Sequence, residues 1–239
     1  MIKPIMSVSR TGVPVFSKID LEELGEAYVR DYQPSMFSGE EPFQAERFAT
    51  EYLKLEVEYQ WLSNNGCYLG VAILSEGQPV VLYNPETDRP FRREYPLGTV
   101  LLDASLQELS RDGIMRFTLL HECAHQVLHR SCYQSGPDAV ACRSAVLNGE
   151  IRDPEKAWTD GDWMEWQANY LASCLLMPIS AVRACIRENG LDEYYQYRVN
   201  RGMLETNAFR MAAFELAPMF RVSDKAAESR LRALGFGKG

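Results

Sequence analysis

Histidine is scarce in this chain, with three in 239 residues, and all three lie in one segment, RFTLLHECAHQVLHR, at His121, His125 and His129. Positive charge is in deficit: 25 Lys and Arg against 33 Asp and Glu leave a net charge of -8, which argues against a general nucleic-acid or anionic-membrane surface. No stretch approaches the ~18 apolar residues of a membrane span. The first residues, MIKPIMSVSRTGVPVF, lack the continuous apolar core of a signal peptide, so a cytoplasmic protein is expected. The six cysteines (Cys67, Cys123, Cys132, Cys142, Cys174, Cys185) contain no CxxC pair and are read as free thiols. Cys132 and Cys142 are near enough in sequence to bridge or to hold a stray metal, but the reducing compartment and the spacing argue against each. Repeats and low-complexity tracts are absent.

What remains is ordinary for a globular chain, with 46 % hydrophobic and 24 % charged residues. Residues 1–15 read as a weakly anchored tail. SKIDLEELGEAYVRDY reads as a helix capped by Ser17, with Ile19, Leu21, Leu24, Ala27 and Tyr28 on its apolar face. EEPFQAERFATEYL reads as a second helix. The period then changes: LEVEYQW alternates like a half-buried strand, CYLGVAILSEGQPVVLYN predicts two strands around a turn at Ser75 to Gln78, and GTVLLD predicts another. Ser105 and Glu108 have the spacing of a capping box ahead of a short helix. The polar connection 131–160 is long enough to suggest a functional loop. DWMEWQANYLASCLLMP predicts a helix capped by Asp160 or Asp162 and ended by Pro178, and helices continue to a last one capped by Ser223 and closed by Gly235. Strands with segregated helices give an α+β fold.

The histidine segment carries the chemistry. On a helix, residues four apart share a face, so His121 and His125 can point two ring nitrogens at one Zn²⁺, ~2.0–2.1 Å from each. Glu122 is turned about 100° from His121, beside such a metal rather than on it, where it can act as general base toward a water that the metal acidifies. The plainer alternative is a surface helix that carries imidazoles. Against it, Phe117, Leu119, Leu120, Ala124, Val127 and Leu128 make the helix apolar, and buried polar groups need compensation. His129 lies about two turns from His121, too far to share one ion with both others, and is read as structural or as a hydrogen-bond partner behind a ligand. The third ligand has to be a carboxylate or a thiolate. Glu165, bordering the apolar stripe Met164, Ala168, Leu171, Ala172 and Leu175, is the favoured candidate. It can equally be a solvated helix residue. Asn169 shares its face, and Cys123 and Cys174 fit packing better than ligation.

RFTLLHECAHQVLH followed by EWQANYLASCLLMP resembles the ImmA/IrrE family of zinc metallopeptidases, over roughly Thr99 to Pro178 and again in VSDKAAESRLRALGF. The resemblance implies one zinc per chain on His121, His125 and Glu165, with Glu122 as general base and Asn169 orienting a ligand. It implies a minimal thermolysin-like, gluzincin-type fold: a small antiparallel or mixed sheet and an active-site helix, then C-terminal helices. Residues 16–178 would form the peptidase domain and 179–239 a helical extension. It departs from the family pattern at Tyr170-Leu171 and at Cys123, neither of which removes a catalytic atom.

Two functions are expected to compete. One is a zinc endopeptidase cutting a protein, with a helix-turn-helix transcriptional repressor implied by the resemblance, and with TVLLDAS as the strand edge a substrate would pair with. The other is a non-proteolytic regulatory protein that uses the zinc fold and the C-terminal helices to bind a repressor or DNA. Arg221, Lys225, Arg230, Arg232 and Lys238 make that end mildly basic, but Asp224 and Glu228 interrupt the patch, so direct nucleic-acid binding is not expected. An intact Glu122 favours the enzyme.

Overall fold

The computed structural model describes residues 7–9, 11–39, 41–77, 79–133, 142–145 and 157–237. The fold is α+β. β1 (Ser7–Val8) and β2 (Pro14–Val15) form an antiparallel ribbon, so the expected loose tail is anchored from Ser7 onward. α1 (Lys18–Tyr32) begins at a reciprocal cap: the Asp20 amide donates to the Ser17 hydroxyl and the Ser17 amide to the Asp20 carboxylate. Ile19, expected on the apolar face, is exposed, whereas Leu21, Leu24 and Tyr28 are buried. α2 (Ala45–Arg47) passes directly into a π-helical turn, Phe48–Tyr52.

The strands are β3 (Glu56–Gln60), β4 (Tyr68–Ala72), β5 (Pro79–Asn84), β6 (Arg89–Glu94) and β7 (Thr99–Asp103). β5 does not pair with β4, as the sequence suggested. It turns at residues 85–88 and pairs with β6 from Pro79↔Glu94 to Asn84↔Arg89. β6 reads RPFRRE and is exposed throughout, so no apolar alternation marks it. Val80 and Leu82 of β5 are buried with Leu62, Val71, Ile73, Tyr95 and Leu101 in one apolar cluster.

The main sheet is mixed, in the order β3-β7-β4-β8, where β8 is Cys142–Ala145. β7 runs parallel to β3 and antiparallel to β4. All five of its residues are buried, as befits a short strand with an apolar centre, Val100 to Leu102, flanked on both sides. This corrects the expectation for TVLLDAS: its strand is interior and offers no free edge. Asp103 then starts a 3-10 turn, accepting from the amides of Ser105 and Leu62, both at 3.0 Å. The expected Ser105–Glu108 box is therefore not the cap, and extended backbone at Glu108 (φ -68°, ψ 128°) separates this turn from the next.

α3 (Asp112–Leu128) lies against β4 and β7, where the Gln126 side-chain amide donates to the Ile73 carbonyl at 3.0 Å. α4 (Arg130–Tyr133) follows. Most of the long connection expected at 131–160, and the side chain of Cys142, fall outside the described residues. α5 (Asp160–Leu176) is capped by Thr159, whose hydroxyl accepts from the Asp162 amide while the Asp162 carboxylate accepts from the Thr159 amide. Asp162 thus completes the cap from inside the helix.

The chain divides into two compact units, Met1–Leu21 with Ala45–Ala172 and Glu22–Gln44 with Ser173–Gly239. These packing units are not the stretches 1–15, 16–178 and 179–239 expected from the sequence. The second unit holds α6 (Ile179–Glu188), α7 (Leu191–Asn200), α8 (Glu205–Phe220) and α9 (Asp224–Ala233). The Ala226 amide donates to the Ser223 hydroxyl, and Gly235 closes α9 at a positive φ of 77°. Residues 22–44 join this unit through charge as well as packing. Buried Arg230 holds Glu22 in a two-pronged pair at 2.6 and 2.7 Å and donates to the Met177 carbonyl at 2.8 Å. Among the described residues no single helix is long and apolar enough to cross a membrane.

Removing the guanidinium takes the opposite charge away from the Glu22 carboxylate in a mostly buried site. Arg230→Ala is expected to cost about 3–5 kcal/mol, and Arg230→Lys to recover only part of it because an ammonium lacks the fork. Urea unfolding measures both. A loss below about 1 kcal/mol would mean the pair behaves as a solvated surface bridge.

Candidate active site

α3 buries an unusual run of ionisable groups: His121 is 2 % exposed, and Glu122, His125 and His129 are 0 %. The helical period stacks the three imidazoles on one face, with ring centroids 4.6 Å apart for His121 and His125 and 5.0 Å for His125 and His129. α5 meets this face. Glu165, left open by its sequence between ligand and solvated residue, points at both imidazoles. Its carboxylate oxygens are 3.2 Å from His121 Nε2 and 3.4 Å from His125 Nε2. The two Nε2 atoms are 3.0 Å from each other. Among the described residues, this is the one group of His, Cys, Asp or Glu side chains close enough to share an ion. Cys123 and Cys174 stay outside it, buried, with burial pushing both thiols up; they serve as packing residues.

The donor atoms fit a metal. Ligands held ~2.0–2.1 Å from one tetrahedral ion stand about 3.3 Å from each other, and the observed edges are 3.0, 3.2 and 3.4 Å. The ring protons fit too. Asn169 Oδ1 can only accept, so His121 Nδ1, 3.0 Å away, donates to it, and Nε2 is the nitrogen left to face Glu165 and any metal. Such an outer hydrogen bond fixes the tautomer of a metal-ligating histidine.

The electrostatics are those of a cation site. Burial alone would push His121 down, but Glu165 and Glu122 outweigh it and hold the imidazole above its ordinary range. His125 is pushed down, first by burial and then by the charge of His121. Burial would raise Glu165, yet the two imidazoles hold its carboxyl well below the usual carboxylate range. His129 is pushed down to about 3, mainly by burial. His125 Nδ1 lies 3.0 Å from His129 Nδ1, so His129 stands behind His125 and outside the donor triangle.

Glu122 occupies the place the sequence gives it, one residue past His121 and fully buried. Gly70 of β4 makes the room. A Cβ there would stand 2.5 Å from Glu122 Oε1, and 2.8 Å from both Glu122 Cγ and Thr118 Cγ2. Sequence reasoning missed Gly70, for which an isolated glycine inside a strand pattern was the available signal. It also missed Gln167. That residue is turned about 200° from Glu165 on the helix, so no shared-face argument would select it, yet it is 2 % exposed and 3.3 Å from His129.

Compared with known families, residues 87–232 match the IrrE N-terminal-like domain, a peptidase family. No curated protein matches the chain.

Gly70→Ala is expected to lower stability by about 1–3 kcal/mol through overpacking. Chemical denaturation reads the loss. It should shrink when Glu122→Ala is added, because the first atoms met belong to Glu122. Additive losses in the double variant would mean the strand and Glu122 are not in contact.

Proposed function

Because the chain belongs to the family of the IrrE N-terminal-like domain, we propose that it is a zinc-dependent endopeptidase of thermolysin-like design, with one zinc per chain on His121, His125 and Glu165. The observation that carries this reading is the Glu165 carboxylate set against both Nε2 atoms at 3.2 and 3.4 Å. When bound, zinc would acidify a water and polarise a peptide carbonyl. Glu122 would accept the proton at its carboxylate and pass it to the leaving amine. His121 and His125 would ligate through Nε2 with Asn169 orienting His121, and the three donors found among the described residues would leave room for a water or substrate on such a metal.

The substrate in this reading is a protein, with a helix-turn-helix repressor as the implied class and the cytoplasm as the compartment. The competing binding-module reading gains no support from the C-terminal helices. Arg230 is committed to Glu22, and Arg232 bonds Glu228 at 2.6 Å and stacks over Phe209. Two of the five basic residues that suggested a patch are thereby occupied within their own unit.

Metal analysis should find one zinc in the wild type, with strong loss in His125→Ala and Glu165→Ala. Full retention in the Glu165 variant would remove it from the ligand set. Glu122→Gln is nearly isosteric but cannot take the proton. It should keep zinc and lose ~10²–10⁴-fold in the rate of cutting a candidate helix-turn-helix repressor, followed by gel and mass spectrometry. Equal cutting by both proteins would overturn the base assignment. If neither cuts, yet both relieve repression, the protein is a binding module.

A further inference from the structure

Behind His125 the hydrogen bonds continue in one direction until they reach the N-terminal ribbon. The Gln167 side-chain amide donates from Nε2 to the Pro14 carbonyl of β2 at 2.9 Å. Its nitrogen being so engaged, its Oε1 faces His129 Nε2 at 3.3 Å. An amide oxygen only accepts, so His129 carries its proton on Nε2. His129 is 0 % exposed, and a buried imidazole is held neutral. Its Nδ1 is therefore bare. The atom facing that lone pair is His125 Nδ1, at 3.0 Å, which must donate. The remaining nitrogen, His125 Nε2, is then bare and turned toward Glu165.

We infer that His129 and Gln167 are positioning residues that fix the tautomer of His125, with the Pro14 carbonyl as the fixed end of the chain. The direction of every bond follows from one group that cannot reverse: a proline carbonyl can accept and never donate, and proline has no N–H of its own to offer. Reversal at any link would set two protons or two lone pairs face to face in a buried place, which is costly. The chain has a specific consequence for the metal reading on which it rests. His121 takes its tautomer from Asn169 on α5, whereas His125 takes its own, through His129 and Gln167, from Pro14 in β2 near the N-terminus. The segment of β2 thus serves the site without contributing a ligand. The stacking of three imidazoles at four-residue intervals has a reason beyond chelation: the third is there to orient the second.

Imidazole ¹⁵N spectra of the full-length, metal-free protein test this directly. His125 is expected to be protonated at Nδ1 and bare at Nε2, and His129 the reverse. The opposite pattern at His125 would overturn the inference, whether or not zinc binds. Zinc affinity from chelator competition is the second readout. His129→Leu removes the acceptor and should weaken zinc binding ~10–100-fold, while His129→Asn, which places a carbonyl oxygen where Nδ1 stood, should stay within about threefold of wild type. Gln167→Leu should fall between them. Equal losses in the Leu and Asn variants would assign His129 a packing role only, and an unchanged affinity in His129→Leu would remove it from the site. A wild type that binds no zinc would defeat the metal reading and leave the ¹⁵N pattern to decide this one.

Discussion

Burial of charge-capable groups on α3 is the constraint from which the rest of the first unit follows. Four of them, His121, Glu122, His125 and His129, lose essentially all contact with solvent within nine consecutive residues. Each isolated polar group would cost several kcal/mol there. The neighbouring elements are accordingly not generic packing surfaces. α5 must present Glu165 and Asn169 on one face and Gln167 from another to the imidazoles. β4 must have glycine where it passes Glu122. The Ile73 carbonyl, already accepting from the Gly98 amide at 3.1 Å, must take the Gln126 side-chain amide as well. Even β2 is held in place by a carbonyl that the chain from His129 uses. A sequence that satisfied only apolar packing would leave these atoms uncompensated.

This explains which parts were legible in advance. Relations within one helix are local and periodic, so His121, Glu122, His125 and the secondary position of His129 could be read from spacing alone. The caps at Ser17 and Ser223 were equally local. Glu165 was half legible, because periodicity placed it at the border of a buried face without showing what it met. Its proximity to both imidazoles is a tertiary fact. Pairings between strands were the least legible. β4 and β5 are both apolar and adjacent in sequence, which imitates a hairpin, but β4 is taken up by β7 and β8. β5 instead pairs with a strand whose composition, RPFRRE, has no strand signature. The edge assigned to TVLLDAS failed for a related reason: five consecutive buried residues belong to a strand covered on both sides.

The second unit answers to a different constraint. Its fixed point is Arg230, which is 1 % exposed and satisfies Glu22 and the Met177 carbonyl together. A basic helix read from sequence is usually a solvated face, and here one of its arginines is instead an internal tie between residues 208 positions apart. Counting charge along α9 therefore overstates what that helix can offer to a partner. None of the donor atoms of the candidate metal centre comes from this unit.

Within the donor triangle the burial is unequal, and the inequality bears on what kind of site this is. The His121 and His125 side chains are 3 % and 0 % exposed, but that of Glu165 is 35 % exposed. A structural zinc site is closed by four protein ligands, whereas a catalytic one keeps a position for water and substrate. Among the described residues the donors number three, and the one that reaches solvent is the carboxylate. The imidazoles and Glu122 are dry, so in the peptidase reading a substrate would arrive on the Glu165 side. That arrangement suits a base. Glu122 remains out of bulk water, where a fixed carboxylate acts on a proton more strongly than it would in a high dielectric. In the proposed reading Glu165, rather than Glu122, would border the side from which a peptide comes.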